Sequence, residues 1–147
     1  MEIGKGFQLE EPQVFVRWGI SQNEIESLFE GSGLRRAESG FYFYLTRCIS
    51  LGGLSHGIGF KFGRTTRKLY EVGLNDVRGV SIEESYPLLQ RHLEATFGPP
   101  TRTSPGDEIS ECPHQTWSLP GAQIEHYVSE HFGPAETLFI RKTDQDF

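Results

Sequence analysis

The sequence predicts an α+β domain, with antiparallel sheet making up most of it and two helices set among the strands. Three observations carry that expectation. From Phe41 onward, apolar residues recur at every second position. Ser21 and Ser81 each stand three residues before a glutamate, at the head of an apolar stripe of helical spacing. Gly52-Gly53 and Pro120-Gly121 each separate two alternating runs, as hairpin turns do.

Taken along the chain, Glu10-Glu11-Pro12-Gln13 is a polar lead-in, and Val14, Val16 and Trp18 alternate as a short first strand. The capping box Ser21/Glu24 opens a helix whose stripe is Ile25, Leu28 and Phe29, and Gly31 and Gly33 end it. The next strand runs to Leu51. With Gly52 and Gly53 as a two-residue loop, Leu51 pairs with Leu54, Leu45 with Phe60 and Phe43 with Phe62. A third strand over 68–74 places Tyr70, Val72 and Leu74 on one side. The second helix starts at Ser81 with Ile82, Tyr86, Leu89, Leu93 and Phe97 on its inner stripe. Pro87 either kinks it or moves its cap to Ser85, and Gly98-Pro99-Pro100 stops it. Residues 101–113 read as an exposed loop. Gln115, Trp117 and Leu119 lead to the Pro120-Gly121 turn, and Ala122, Ile124, His126 and Val128 return on the same face. Gly133-Pro134 marks another turn before a last strand over 137–141, and the tail from Thr143 to Phe147 is expected to fray. The order suggests one domain over 1–147 built from two helix-plus-three-strand units, 21–75 and 81–142.

The chain has 147 residues, 36% hydrophobic and 12% aromatic, enough for a core without disulfides or metals. Fourteen Lys and Arg against twenty Asp and Glu give a net charge of −6. That argues against nucleic acid and anionic membranes as partners, and it suits a basic protein partner. The chain has no apolar run of membrane-spanning length and no signal-peptide pattern at Met1–Lys5, so a cytoplasmic location is expected. Two cysteines, Cys48 and Cys112, make no disulfide framework and are expected reduced and inert.

Candidate chemistry is sparse. Cys112, His114, His126 and His131 are metal-ligand types, but pairing across Pro120-Gly121 sets Gln115 opposite His126. That puts His114 and His126 on opposite sheet faces, so no metal and no cofactor is expected. Arg47 and His56 fall on the apolar face of the first hairpin, where they mark a sheet end or the mouth of a small-ligand or catalytic cleft, with Glu71 or Glu83 as a charge partner. Gly57, Gly59 and Gly63 leave room on the other face for a close approach by backbone or ligand, beside Tyr42, Tyr44, Thr46 and Lys61. Tyrosines beside small residues suit either a protein-binding surface or a second packed layer. Glu24, Glu26 and Glu30, like Glu83 and Glu84, fit helix first turns. Asp107, Glu108 and Glu111 have no such reason to cluster, and they suit either a solvated loop or a basic partner. There is no Gly-x-Ser-x-Gly, no His-Glu-x-x-His and no phosphate loop, so an enzyme is not expected.

The run Leu93-Glu94-Ala95-Thr96-Phe97-Gly98-Pro99-Pro100, followed by Trp117, Pro120-Gly121 and Ile124, resembles small bacterial α+β proteins in which a helix ends in Gly-Pro and a Trp-bearing hairpin follows. Several immunity proteins that neutralise secreted toxins are similar in size, acidity and layout. The resemblance implies a binding module that inhibits a toxin domain, and it carries no catalytic residue. Contact through Tyr42, Tyr44, Lys61, Asp107, Glu108 and Glu111 is then expected. A secretion chaperone or assembly factor is a further alternative, recognisable by an apolar groove and self-association.

Overall fold

The computed structural model describes residues 1–75, 77, 81–130 and 132–143. Its strands are β1 (Gly6–Leu9), β2 (Val14–Arg17), β3 (Arg35–Arg36), β4 (Tyr42–Ser50), β5 (Leu54–Phe62), β6 (Leu69–Asn75), β7 (Arg102–Ser104), β8 (His114–Leu119), β9 (Ala122–Glu130) and β10 (Pro134–Lys142). The helices are α1 (Gln22–Leu28) and α2 (Ile82–Phe97). β1 and β2 form a hairpin; the others form one antiparallel sheet in the order β3-β4-β5-β6-β10-β9-β8-β7. The fold is α+β.

Each half of the chain is a helix followed by a four-strand meander, and the meanders join where β6 pairs with β10, Leu74 opposite Leu138 and Glu71 opposite Arg141. The units therefore hold four strands, not three. The added strands, β3 and β7, are two and three residues long and form the two sheet edges. Such short edges offer little template for pairing with another chain.

One face of the sheet carries the core. Phe43, Leu45, Ile58, Phe60, Val72, Leu74, Trp117, Ile124, Leu138 and Ile140 are buried there. α1 packs on it through Phe29, whose ring lies 5.5 Å from that of Phe60, and α2 through Leu89 and Leu93. Full burial of one such side chain contributes about 1.5–3 kcal/mol. The hairpin β1–β2 completes this layer. Phe7 and Leu9 are fully buried, so Glu10–Gln13 is a turn between two strands and not a lead-in.

Ser21 and Glu24 form the reciprocal capping box, and the backbone N–H of Ser21, with its hydroxyl and Arg17 behind it, holds the Glu24 pKa below its usual value. Leu28 leaves the expected stripe and is exposed. At α2 the capping box does not form. Ser81 caps by backbone alone, Pro87 sits inside the helix, and Ser85 bonds the Glu136 carboxylate instead of capping.

The first long hairpin departs from the simplest register. Its turn is Leu51-Gly52-Gly53, all with positive φ, so Ser50 pairs with Leu54. The Glu10 carboxylate accepts from Gly52 and Gly53 N–H, both at 2.8 Å. A bulge at Thr46-Arg47 then shifts the register again, pairing Leu45 with Ile58 and Phe43 with Phe60. A second bulge lets Leu69 pair with Phe62 and turns Tyr70 away from Val72 and Leu74. The 120–121 hairpin has the expected register, with Gln115 opposite His126. Thr143 N–H bonds the Gly121 carbonyl, and the rest of the tail lies outside the described residues.

Candidate functional site

α1, β1–β2 and α2 all pack on the same face of the sheet. The opposite face carries no further element among the described residues, and its side chains are half-buried against one another. Strand alternation brings Tyr42 and Tyr44 of β4, Lys61 of β5, Glu71 of β6, Phe139 and Arg141 of β10, Glu125 and Tyr127 of β9 and His114 of β8 to this face. Among the described residues, no second layer covers the tyrosines.

An ion triplet sits at the centre. The Glu71 carboxylate, only 3% exposed, accepts from Lys61 Nζ at 3.0 Å and from Arg141 at 2.6 and 3.0 Å. Burial works against the Lys61 charge, but the hydrogen bond and charge of Glu71 outweigh it and raise the Lys61 pKa. Glu71 therefore serves these cations and not Arg47 or His56.

Aromatic groups flank the triplet. The Tyr42 and Tyr44 rings stack at 6.0 Å, and burial raises the Tyr42 pKa. On the other side Tyr127 stacks on His114 at 4.5 Å and meets Phe139 edge-on at 6.4 Å, and Arg141 covers Phe139 at 4.8 Å. His114 Nε2 lies 2.8 Å from the Glu125 carboxylate. Every anchor is thus held by a neighbour before any partner arrives.

Gly59 and Gly57 leave room for side chains of this chain, not for a ligand. A Cβ at Gly59 would lie 1.9 Å from the Tyr42 hydroxyl, and one at Gly57 would lie 2.4 Å from the Asn75 amide oxygen. Gly63 falls beyond β5, where its carbonyl accepts from Arg67 N–H.

Asp107, Glu108 and Glu111 lie on the β7–β8 connection and are exposed. Asp107 does have a structural role, since its carboxylate accepts from Ile109 and Ser110 N–H and closes the loop. The fold does not bring this loop onto Tyr42, Tyr44 and Lys61. β4 and β8 are five places apart in the sheet, about 24 Å at ~4.8 Å per strand. Asp107 and Ile109 instead border a hollow of about 500 Å³ shared with His114, Tyr127 and Phe139 on the same face.

The Arg47/His56 cleft does not form. The bulge turns Arg47 out to an exposed position, whereas His56 is fully enclosed. The His56 Nδ1–H donates to the Gly57 carbonyl at 2.7 Å, and Nε2 accepts the Ser50 hydroxyl at 2.5 Å, which is the neutral ring. Desolvation lowers its pKa and pushes the neighbouring Cys48 thiol up to about 12. His126 faces the core, as the hairpin register predicts, and His114 faces the open side; His131 lies outside the described residues. No group of three metal-ligating side chains occurs among the described residues.

No family model matches the chain, and no curated protein matches it. Among solved structures, a DUF4309 family protein, YjgB, from Bacillus subtilis subsp. subtilis strain 168 aligns with a TM-score of 0.48 at 11% identity, over 84% of this chain and 78% of that one. No described helix is long and apolar enough to cross a membrane.

Sequence reasoning missed Tyr127, Phe139, Arg141 and the role of Glu71, because each depends on the β6–β10 pairing of distant segments. The one signal available was the second alternation of 123–129, whose outward Tyr127 matches the outward tyrosines of β4.

Proposed function

We propose that this chain is a cytoplasmic protein-binding module of the immunity type, not an enzyme, and that it occludes a basic toxin domain with its open sheet face. The observation that carries the reading is this face, where four held aromatic rings surround the Lys61–Glu71–Arg141 triplet. Tyr and Arg anchors are the side chains that dominate protein interfaces, and anchors already fixed lose little entropy on binding. Glu108 and Glu111 lie exposed on the β7–β8 loop, on its side toward Glu83 and Tyr86 of α2, where charge speeds encounter with a basic partner. The net charge of −6 supports the same partner chemistry.

The test is capture of complexes from native cells with the tagged protein and two variants. Tyr42→Ala/Tyr44→Ala strips an anchor pair, and Glu108→Lys/Glu111→Lys reverses the exposed loop charges while sparing the loop-closing Asp107. The expected result is one basic protein at stoichiometric ratio, released at high salt, lost with either variant, and toxic to cells unless this chain is co-expressed. Capture that neither variant changes, or a partner whose toxicity this chain does not relieve, would overturn the reading.

A further inference from the structure

Seven of the fourteen basic side chains, but only one of the twenty acidic ones, fall between residues 31 and 70. An acidic protein therefore contains one strongly positive stretch, and the fold concentrates it. The turn before β4 and the turn between β5 and β6 lie side by side at one end of the sheet, joined by Phe62 N–H donating to the Phe41 carbonyl at 2.9 Å. A hollow of about 530 Å³ opens between them, bordered by Phe41, Tyr42, Lys61, Arg64 and Tyr70. The guanidinium groups of Arg64 and Arg67 lie over the Phe41 ring at 5.2 and 5.8 Å. Among the described residues, no carboxylate lies within ion-pair distance of Arg35, Arg36, Arg64, Arg67 or Lys68. The neighbouring Lys61, by contrast, is held by Glu71.

Clustered cations raise one another's energy, and a bound anion relieves it. The geometry narrows the kind of anion. The Phe41 ring holds two guanidinium groups close together, and the N–H fork of a guanidinium grips a carboxylate with two parallel hydrogen bonds. A single-stranded nucleic acid would need open ring faces for its bases. Here the Phe41 ring already has the guanidinium groups of Arg64 and Arg67 over it, and the Tyr42 phenol lies down against Gly59. A long polyanion would also run from this small corner onto a face that carries Glu125 and, beyond it, the acidic 107–111 loop.

We propose that this corner binds a short carboxylate-rich peptide segment of a protein partner. It lies diagonally across the open face from the acidic loop. The basic turns flank the end of the sheet where β6 starts, and the loop precedes His114 of β8 at the opposite end, five places from β4 and three from β6. A partner that covers the face and reaches past its far end must then be dipolar, with its acidic segment over Arg64 and Arg67 and its basic surface toward the 107–111 loop. Opposite charges at two corners fix one docking orientation, since the reversed one sets like charges together. The corner stands on its own geometry and does not depend on the partner being a toxin.

The test titrates isotope-labelled protein with hexaglutamate and, in parallel, with octathymidylate, followed by NMR at low and moderate salt. The expected result is saturable hexaglutamate binding that shifts residues 61–68 and the Arg64 and Arg67 side chains and weakens as salt rises. Arg64→Glu/Arg67→Glu should weaken it at least about tenfold, a loss of about 1.4 kcal/mol. Glu108→Gln/Glu111→Gln should leave it in place even where capture of the basic partner is lost, so the two readings fail separately. No saturable hexaglutamate binding, binding that survives the arginine reversal, or tighter octathymidylate binding at the same residues would overturn the proposal.

Discussion

The Tyr42 phenol lies against the backbone of Gly59, so close that a Cβ there would stand 1.9 Å from the hydroxyl and 2.4 Å from the ring carbon bearing it. The glycine thus positions an anchor of the open face. Gly59→Ala cannot be absorbed by a small shift, because the ring itself is in the way, and the expected cost is about 1–3 kcal/mol. In a Tyr42→Ala background the clash disappears, and alanine's lower backbone entropy in the unfolded chain should make Gly59→Ala neutral or stabilising. Urea denaturation of the four proteins in this cycle checks the coupling; equal costs in both backgrounds would refute it.

Glu71 and Lys61 make unequal contributions to the same contact. Removing Lys61 leaves Glu71 still bonded to Arg141, and Lys61 is half-exposed, so Lys61→Met should cost less than about 1 kcal/mol. Glu71→Gln leaves a buried amide between two cations and should cost about 2–4 kcal/mol. Denaturation midpoints at one ionic strength decide this. A Lys61→Met cost equal to that of Glu71→Gln would mean the triplet is not centred on the carboxylate.

What the sequence made legible was local. The Ser21/Glu24 box and the Gln115–His126 register involve residues a few positions apart or joined by a tight turn, and both appear as read. The first hairpin failed at Thr46-Arg47 because a bulge adds one residue without any composition signal, and every side chain beyond it changes face. That slip is what placed Arg47 beside His56 on paper. The open face itself was half visible, in Tyr42, Tyr44 and Lys61. Its other half needed β6 to pair with β10 across some seventy residues, which alternation cannot specify. Net charge misled in the same way: a total of −6 hides a region that is basic by six charges out of eight.

His56 gives stability a pH dependence whose sign follows from its burial. Desolvation lowers its native pKa below the unfolded value of about 6.5, so in acid the unfolded chain takes a proton that the native ring refuses. Stability should be unaffected by this group above about pH 7 and fall as pH drops below 6.5, by at most about 1.4 kcal/mol per unit. His56→Gln should flatten that part of the profile, measured by denaturation at pH 7 and pH 5. An unchanged slope would place the transition in another group.

The same enclosure protects Cys48. Its thiol, pushed up to about 12 and 4% exposed, stays protonated at neutral pH, whereas Cys112 is half-exposed. A disulfide reagent should therefore label one thiol per native chain quickly and the second only on unfolding. Rapid double labelling of native protein would show that the β4–β5 interior opens.

Helix α2 is fixed to the sheet by polar contacts as well as apolar ones. Fully buried His126 stacks on Tyr86 at 4.0 Å, with Nε2 2.5 Å from the Glu136 carboxylate and Nδ1 2.8 Å from the Gln90 side-chain oxygen. The Gln90 amide nitrogen donates in turn to Glu94, which fixes the side chain's orientation, and the Ser85 hydroxyl donates to Glu136. Every polar atom of this buried set is satisfied, so losing one member strands the others. Glu136→Ala should cost about 2–4 kcal/mol, and Gln90→Ala about 1–2 kcal/mol. In a His126→Phe background, which keeps a ring against Tyr86 but has no ring nitrogens, both costs should shrink by more than about 0.5 kcal/mol, because neither deletion then strands a buried ring nitrogen. Additive costs across these cycles would mean that the contacts hold α2 independently and that the network does not act as a unit.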